Sequence, residues 1–142
     1  MGEFRFLDDI AISDAAVEVI GESIEDLFET AAIAMFEVMV DTANIRKRIG
    51  KRIYLKAEEI DGLLFDWLSQ LVYLKDAEGL FCSGYNIDIK QKDGFVLCAE
   101  ISGEDIDPER HELKTDVKAV TYHKFEVCRR ECRWIARVVF DT

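Results

Sequence analysis

The stretch Leu80–Ile101, LFCSGYNIDIKQKDGFVLCAEI, decides the fold. Two alternating runs, Leu80–Lys90 and Phe95–Ile101, flank Gln91-Lys92-Asp93-Gly94. Alternation at period two marks a half-buried strand, and an Asp-Gly pair tolerates the backbone of a tight reversal. The spacing predicts an antiparallel hairpin. Downstream, Val117–Val127 and Arg133–Phe140 repeat the pattern around Arg129–Glu131, so a second hairpin is expected. A polar connection, Ser102–Leu113, joins the two and carries the only proline, Pro108. Upstream the period changes. Leu27, Phe28, Ala31, Ala34, Met35, Val38 and Met39 recur at helical spacing to about Val40. Ser23 reads as the N-cap, with Glu25 and Asp26 in the first turn, where the helix dipole favours acids. Ile60, Leu63, Leu64, Trp67, Leu68, Leu71 and Val72 predict a second helix from Glu58 or Glu59 to Leu74, followed by a turn at Lys75–Gly79. Arg52–Ala57 alternates as a strand between the helices. Phe4–Leu7 and Ala15–Val19 read as short strands around an acidic loop, residues 8–14. The order is strands, helix, strand, helix and two hairpins. That is α+β: a mostly antiparallel β-sheet covered by two main helices.

Composition bounds the function. At 142 residues the chain is expected to form one domain, 1–142, with no linker or repeat. An apolar fraction of 49% with 33% charged residues belongs to a globular chain. The net charge of −11 argues against a free nucleic-acid binder, so no tight direct nucleic-acid binding is expected. One basic island, IRKRIGKR at residues 45–52, interrupts the acidity with five Lys or Arg residues. A solvated loop and strand start is its plainer reading, and contact with RNA or an acidic partner is the sharper one. No run of about 18 apolar residues predicts a membrane helix, and MGEFRFLDDI lacks a signal-peptide pattern. A cytoplasmic location with no membrane contact is the expectation. The four cysteines, Cys82, Cys98, Cys128 and Cys132, contain no CxxC and read as small buried apolar residues. Cys128 and Cys132 flank the second hairpin tip, where a disulfide is geometrically open to them.

Chemistry concentrates in two places. DVKAVTYH, Asp116–His123, alternates as a strand, yet offers Lys118, Thr121 and His123, none of which packing requires. Phe140-Asp141-Thr142 puts a carboxylate side chain next to the last residue. A last strand locked into a sheet would hold those anionic groups at one place, which reads as a cation site. The plain alternative is an acidic strand end. Lys118 and His123 differ by an odd number, so a regular strand turns them to opposite faces, Lys118 with Val120 and Tyr122, His123 with Ala119 and Thr121. Lys118 reads as a contact to the acidic cluster or to a partner. His123 reads equally as structural or functional. His111, beside Arg110 and Glu112 in a polar loop, is expected exposed or facing a partner.

One family shares these features across the whole chain. The carriers are Phe6-Leu7-Asp8, Asp14, Gly21, Ser23, the Ala- and Phe-rich helix ending Glu37-Val38-Met39-Val40-Asp41, and Leu63–Leu68. They continue with Gly103-Glu104, Arg110-His111-Glu112, Val117–His123 and Val138–Thr142. The chain resembles archease. The resemblance implies a non-enzymatic activator of the RtcB-type tRNA-splicing RNA ligase, promoting guanylylation and multiple turnover in exon ligation. It also implies a divalent cation, Ca2+ first with Mg2+ or Mn2+ as alternatives, on Asp14, Asp141 and Thr142. The family loop Leu-Asp-His-Thr-Ala-Asp is here Leu7-Asp8-Asp9-Ile10-Ala11-Ile12-Ser13-Asp14, two residues longer and without histidine. Asp8 or Asp9 is therefore the alternative loop ligand, and Asp8, Lys118 and His123 are candidate support for the site. Two other function classes stand beside this one: a metal-dependent phosphoester hydrolase on Asp8, Asp14 and Asp141, and a chaperone-like interaction module.

Overall fold

The computed structural model describes residues 2–7 and 14–142. The chain runs β1 (Glu3–Leu7), β2 (Asp14–Gly21), α1 (Ile24–Met39), β3 (Ile49–Ala57), α2 (Ile60–Glu78), β4 (Leu80–Gln91), β5 (Phe95–Asp105), β6 (Ala119–Arg130) and β7 (Arg133–Asp141). Every named strand pairing is antiparallel. The strands divide between two sheets, in the orders β1-β2-β7-β6 and β3-β5-β4. Both helices touch strands of both sheets, so they form a middle layer. The α+β reading with antiparallel strands and two helices therefore holds, with the strands sharing the two outer layers.

The reason lies in α1. Leu27, Phe28, Ala31, Ala32, Ala34, Met35 and Phe36 are all fully buried, and they span more than half of the helix circumference. An apolar face that wide needs cover on two sides. Ser23 caps it, its hydroxyl accepting from the Asp26 amide at 3.0 Å. α2 is tied to α1 by the Trp67 indole, whose Nε1–H donates to the Phe28 carbonyl at 3.1 Å. α2 runs four residues past the sequence expectation, to Glu78, because Gly79 takes the left-handed cap at φ 64°.

Two irregularities shape the functional surfaces. Gly103 faces the Phe81 carbonyl so closely that a Cβ would run into it, next to the register shift between Cys82 and Gly84. In β6 the register jumps between Thr121 and Glu126, while the partner strand advances only from Val139 to Arg137. Tyr122 to Phe125 bulge out there, with Lys124 at φ 54°. The bulge is held from the helix layer: the Tyr122 ring stacks flat on Phe65 at 3.8 Å, and Phe125 meets Phe65 edge-on at 5.7 Å.

Candidate functional site

β2 begins with Asp14 and β7 ends with Asp141, and these two are register partners. Cross-strand partners put their Cβ atoms on one face, roughly 4.5–5.5 Å apart. On the other side of Asp141 stands Ala119, the first residue of β6. The Lys118 amide donates to the Asp141 carbonyl at 2.8 Å, which fixes the strand end in place.

What brings Lys118 there is a buried lysine on α2. Lys75 is 6% exposed and donates to the Asp116 carboxylate at 2.6 Å and to the Val117 carbonyl at 3.0 Å. Burial lowers its pKa, but the hydrogen bonds it donates to Asp116 and Asp76 outweigh that and hold it above the ordinary value of 10.5. The preceding segment is hooked to α1, with the Lys114 and Thr115 amides donating to the Met39 and Val38 carbonyls at 2.8 and 3.1 Å.

Next to the acidic pair on the same sheet lies a groove of about 600 Å³. Leu7, Ala16, Val139 and Phe125 give it an apolar lining, and Arg5, Lys124 and Arg137 give it charge. Glu18 anchors the two arginines, accepting from Arg5 Nε and Arg137 Nε at 3.2 Å each. Partial burial raises the Glu18 pKa, but these two guanidiniums prevail and hold it below the ordinary 4.5. The β6 bulge supplies one wall of the groove.

The residues expected from sequence fare differently. Asp14 and Asp141 are brought together, with Thr142 directly after Asp141. Asp8 and Asp9 lie outside the described residues. Lys118 meets Asp141 through its amide, and its side chain is exposed. His123 sits exposed in the bulge, so the regular alternation that sorted Lys118 and His123 onto faces stops short of it. His111 is not exposed, contrary to expectation. It is 2% exposed, with its Nδ1 accepting from the Asp107 amide at 2.9 Å and its Nε2 at 2.8 Å from Glu104. Because Nδ1 accepts, the ring proton is on Nε2 and points to Glu104. Burial and the neighbouring Arg110 charge lower the His111 pKa below its ordinary 6.5, more than Asp107 raises it. Of the cysteines, expected to be buried, only Cys82 fits. Cys82 is buried, and burial pushes its thiol up to about 12. Cys98 and Cys132 are exposed, and Cys128 and Cys132 are both free thiols.

Glu104 was missed as a site residue. It is 6% exposed and accepts from the Arg46 amide at 2.8 Å, from Arg110 and from His111. Its signal was the Gly-Glu pair: a glycine inside a strand marks a close backbone approach. Tyr122 was missed as well, since its alternation with Val120 looked regular.

Were a hard cation bound at this strand end, Asp14, Asp141 and Thr142 would supply its oxygens. Among the described residues no group of three or more His, Cys, Asp or Glu side chains is placed to hold a metal ion. A calcium ion takes roughly six to eight oxygens, so two carboxylates and Thr142 leave positions open to water or to another molecule.

Comparison with known proteins agrees with the fold. The family model described as the Archease protein family matches residues 4–142. Protein archease of Methanothermobacter thermautotrophicus is 38% identical over 142 residues, covering 99% of each chain. Protein archease of Pyrococcus furiosus is 38% identical over 131 residues, 91% of this chain and 92% of that one. The solution structure of Methanobacterium thermoautotrophicum protein 1598 superposes with a TM-score of 0.86 at 37% identity, covering 98% of both. A Thermotoga maritima structure, described as an archease and possible chaperone, shares the fold at a TM-score of 0.64 and 24% identity, covering 97% of this chain and 98% of that one. With the family model spanning nearly its whole length and relatives at this identity, the chain belongs to the archease family.

Proposed function

We propose that this chain is a non-catalytic protein partner of an RtcB-type tRNA-splicing RNA ligase, promoting its guanylylation and repeated turnover. The reading rests on one observation above the others: Asp14 and Asp141 are register partners at a strand end, next to Thr142, with Lys118 hooked to Asp141. Two like charges placed opposite each other destabilise a sheet unless something offsets them. A divalent cation does so, with calcium favoured by the oxygen donors and magnesium or manganese as alternatives. The open coordination positions let a partner's groups complete the shell. The adjoining groove, apolar at its floor and wall, gives such a partner a place to insert a side chain or loop. The bound ion would supply positive charge at the interface, while Asp14, Asp141 and Thr142 hold it and Lys118 fixes their strand.

The test is multiple-turnover ligation by the matching ligase, with this chain sub-stoichiometric, alongside Asp14→Asn and Asp141→Asn. Stimulation that both substitutions abolish is the expected result. Full stimulation by both variants removes the acidic pair from the mechanism. A chaperone-like role is the second reading, favoured by the description of the Thermotoga relative as a possible chaperone. It predicts protection of unrelated proteins from aggregation, and no special response of the ligase.

A further inference from the structure

Five Lys or Arg residues crowd positions 46–52 of a chain whose net charge is −11. Two of them, Lys51 and Arg52, lie on the edge strand β3, and the other three lead directly into it. Arg48 just ahead of it and Gly50, Arg52, Tyr54 and Lys56 along it are exposed, while Ile49, Ile53 and Leu55 turn inward. Alternate residues on a strand stand roughly 6.6–6.8 Å apart. The outward row is therefore cation, gap, cation, aromatic ring, cation. Tyr54 is 67% exposed. At the gap, Gly50 pairs with Ser102 and Ser102 with Gly84, three small residues across three strands. They floor a hollow of about 530 Å³ with Arg52 on its rim, and the Lys47 stem lies over Gly84. A second hollow at Tyr54, Asp88 and Cys98 shares Arg52, Asn86 and Glu100 with the first.

The charge at the head of this row is not balanced. Among the described residues no carboxylate lies within ion-pair distance of Arg46 or Arg48. Arg110 stands near both. Its Nη1 donates to the Asn44 carbonyl at 2.9 Å and its Nη2 is held by Glu104. Its pKa is lowered first by desolvation and then by Arg46 and Arg48. Glu104 is already shared with His111 and the Arg46 amide, so it does not neutralise all three guanidiniums. Negative groups on the face are few: Glu100, 3.5 Å from Arg52 in a largely solvated pair, and Asp88. A solvated pair of that kind is readily exchanged.

We propose that the outward row of β3, with Arg46 and Arg110 beside it, is a contact track for single-stranded RNA. The guanidiniums take phosphates, which match their planar fork, and Tyr54 offers a face for a base. An acidic protein would use the charges but would leave the exposed ring and the open hollows without a role. The proposal rests on the ligase-partner reading, in which RNA is the ligase's substrate. The acidic pair belongs to the other sheet, across the helix layer, so RNA and acidic site occupy separate surfaces. With the net charge at −11, binding by this chain alone is weak, in roughly the 10⁻⁴–10⁻⁶ M range of non-specific contacts.

Fluorescence anisotropy of a labelled oligouridylate with the free protein, over a salt series, tests it. Expected is binding whose logarithm falls with log salt by about 0.7 per phosphate contacted, so a slope near −2 to −3 for three or four cations. Arg46→Gln with Arg48→Gln should lower affinity about tenfold and flatten the slope by roughly 1.4. Tyr54→Ala should lower affinity about tenfold and leave the slope unchanged. Labelled polyglutamate is the control arm. Absence of RNA binding by the wild-type protein at low salt overturns the proposal. So does binding indifferent to all three substitutions, or polyglutamate bound as tightly as RNA and lost in the same variants. Ligase stimulation is measured separately: stimulation without RNA binding ends this inference and leaves the partner reading intact, and the reverse result ends the partner reading alone.

Discussion

Glu104 shows how much one buried carboxylate organises. It joins the β5 end to the Arg46 amide, to Arg110 and to the His111 ring. Glu104→Ala leaves a buried imidazole N–H and a guanidinium without their acceptor, and should cost about 2–3 kcal/mol, somewhat below a fully buried pair because Arg110 is part-exposed. Urea unfolding at pH 7 reads this directly, and a loss under about 0.5 kcal/mol would mark the cluster as ornamental. His111 adds a pH dependence whose sign is fixed. Its folded pKa lies below 6.5, so the unfolded chain takes up a proton first as pH falls. Its contribution is present above 6.5 and is lost as pH drops through the folded value. Protonation also removes the Nδ1 acceptor from the Asp107 amide. Melting temperature followed from pH 7.5 to 5 should fall, and His111→Gln should flatten that fall. At this scale the two aspartates came from the family resemblance, with Asp14 placed by counting back from Gly21, and the β2–β7 register sets them opposite each other. The burial of His111 was not legible. Nothing in its polar neighbours, Arg110 and Glu112, says that the Phe81 ring will cover it, centroid to centroid at 5.4 Å.

At the scale of elements, DVKAVTYH is a strand set in place by a helix. Lys75 holds Asp116 and Val117, and that aims Lys118 at Asp141. Lys75→Met keeps much of the buried stem but loses the ammonium, so two backbone-positioning contacts vanish. It should cost about 1–2 kcal/mol, since Asp116 is largely solvated. It should also reduce ligase stimulation while leaving Asp14 and Asp141 untouched. Full stimulation in a folded Lys75→Met protein would show that the hook does not set the site. The raised lysine pKa gives the matching pH sign: its stabilisation is complete below 10.5 and disappears as pH climbs through the folded value. The hairpins and both helices were legible because their periods of two and 3.6 are uninterrupted. The β6 bulge was not. Val120 to Phe125 reads as ordinary alternation, and the extra residues are forced by a contact distant in sequence, Tyr122 flat against Phe65.

For the whole molecule, the split into two sheets follows from α1 rather than from the strands. Leu27, Phe28, Ala31, Ala32, Ala34, Met35 and Phe36 bury more than half of the helix circumference and leave the arc of Asp26, Glu29 and Glu37 partly exposed, so a single sheet could not cover it. That pattern was in the sequence, but strand periodicity alone assigns faces and not sheets. The layered form also spreads −11 of net charge over a small surface. Self-repulsion of this kind destabilises the compact state and is screened by salt. The surface ion pairs, such as Lys51 with Glu78 and Arg52 with Glu100, are screened too, but each is worth little. Repulsion therefore dominates, and raising sodium chloride from low to moderate concentration should increase melting temperature by about 2–4 °C, or about 1 kcal/mol for a chain of this length. Calcium at matched ionic strength separates screening from binding. If Asp14 and Asp141 hold an ion, calcium at about a hundred times its dissociation constant adds a further stabilisation of about 2.7 kcal/mol. Asp141→Asn should behave in the opposite way at each step. Without calcium it is the more stable protein, because a like-charge pair across β2 and β7 has been relieved. With calcium it gains only what sodium gives. A variant that melts lower than wild type in chelator, or that keeps the full calcium increment, would mean that the two aspartates neither repel each other nor share a cation.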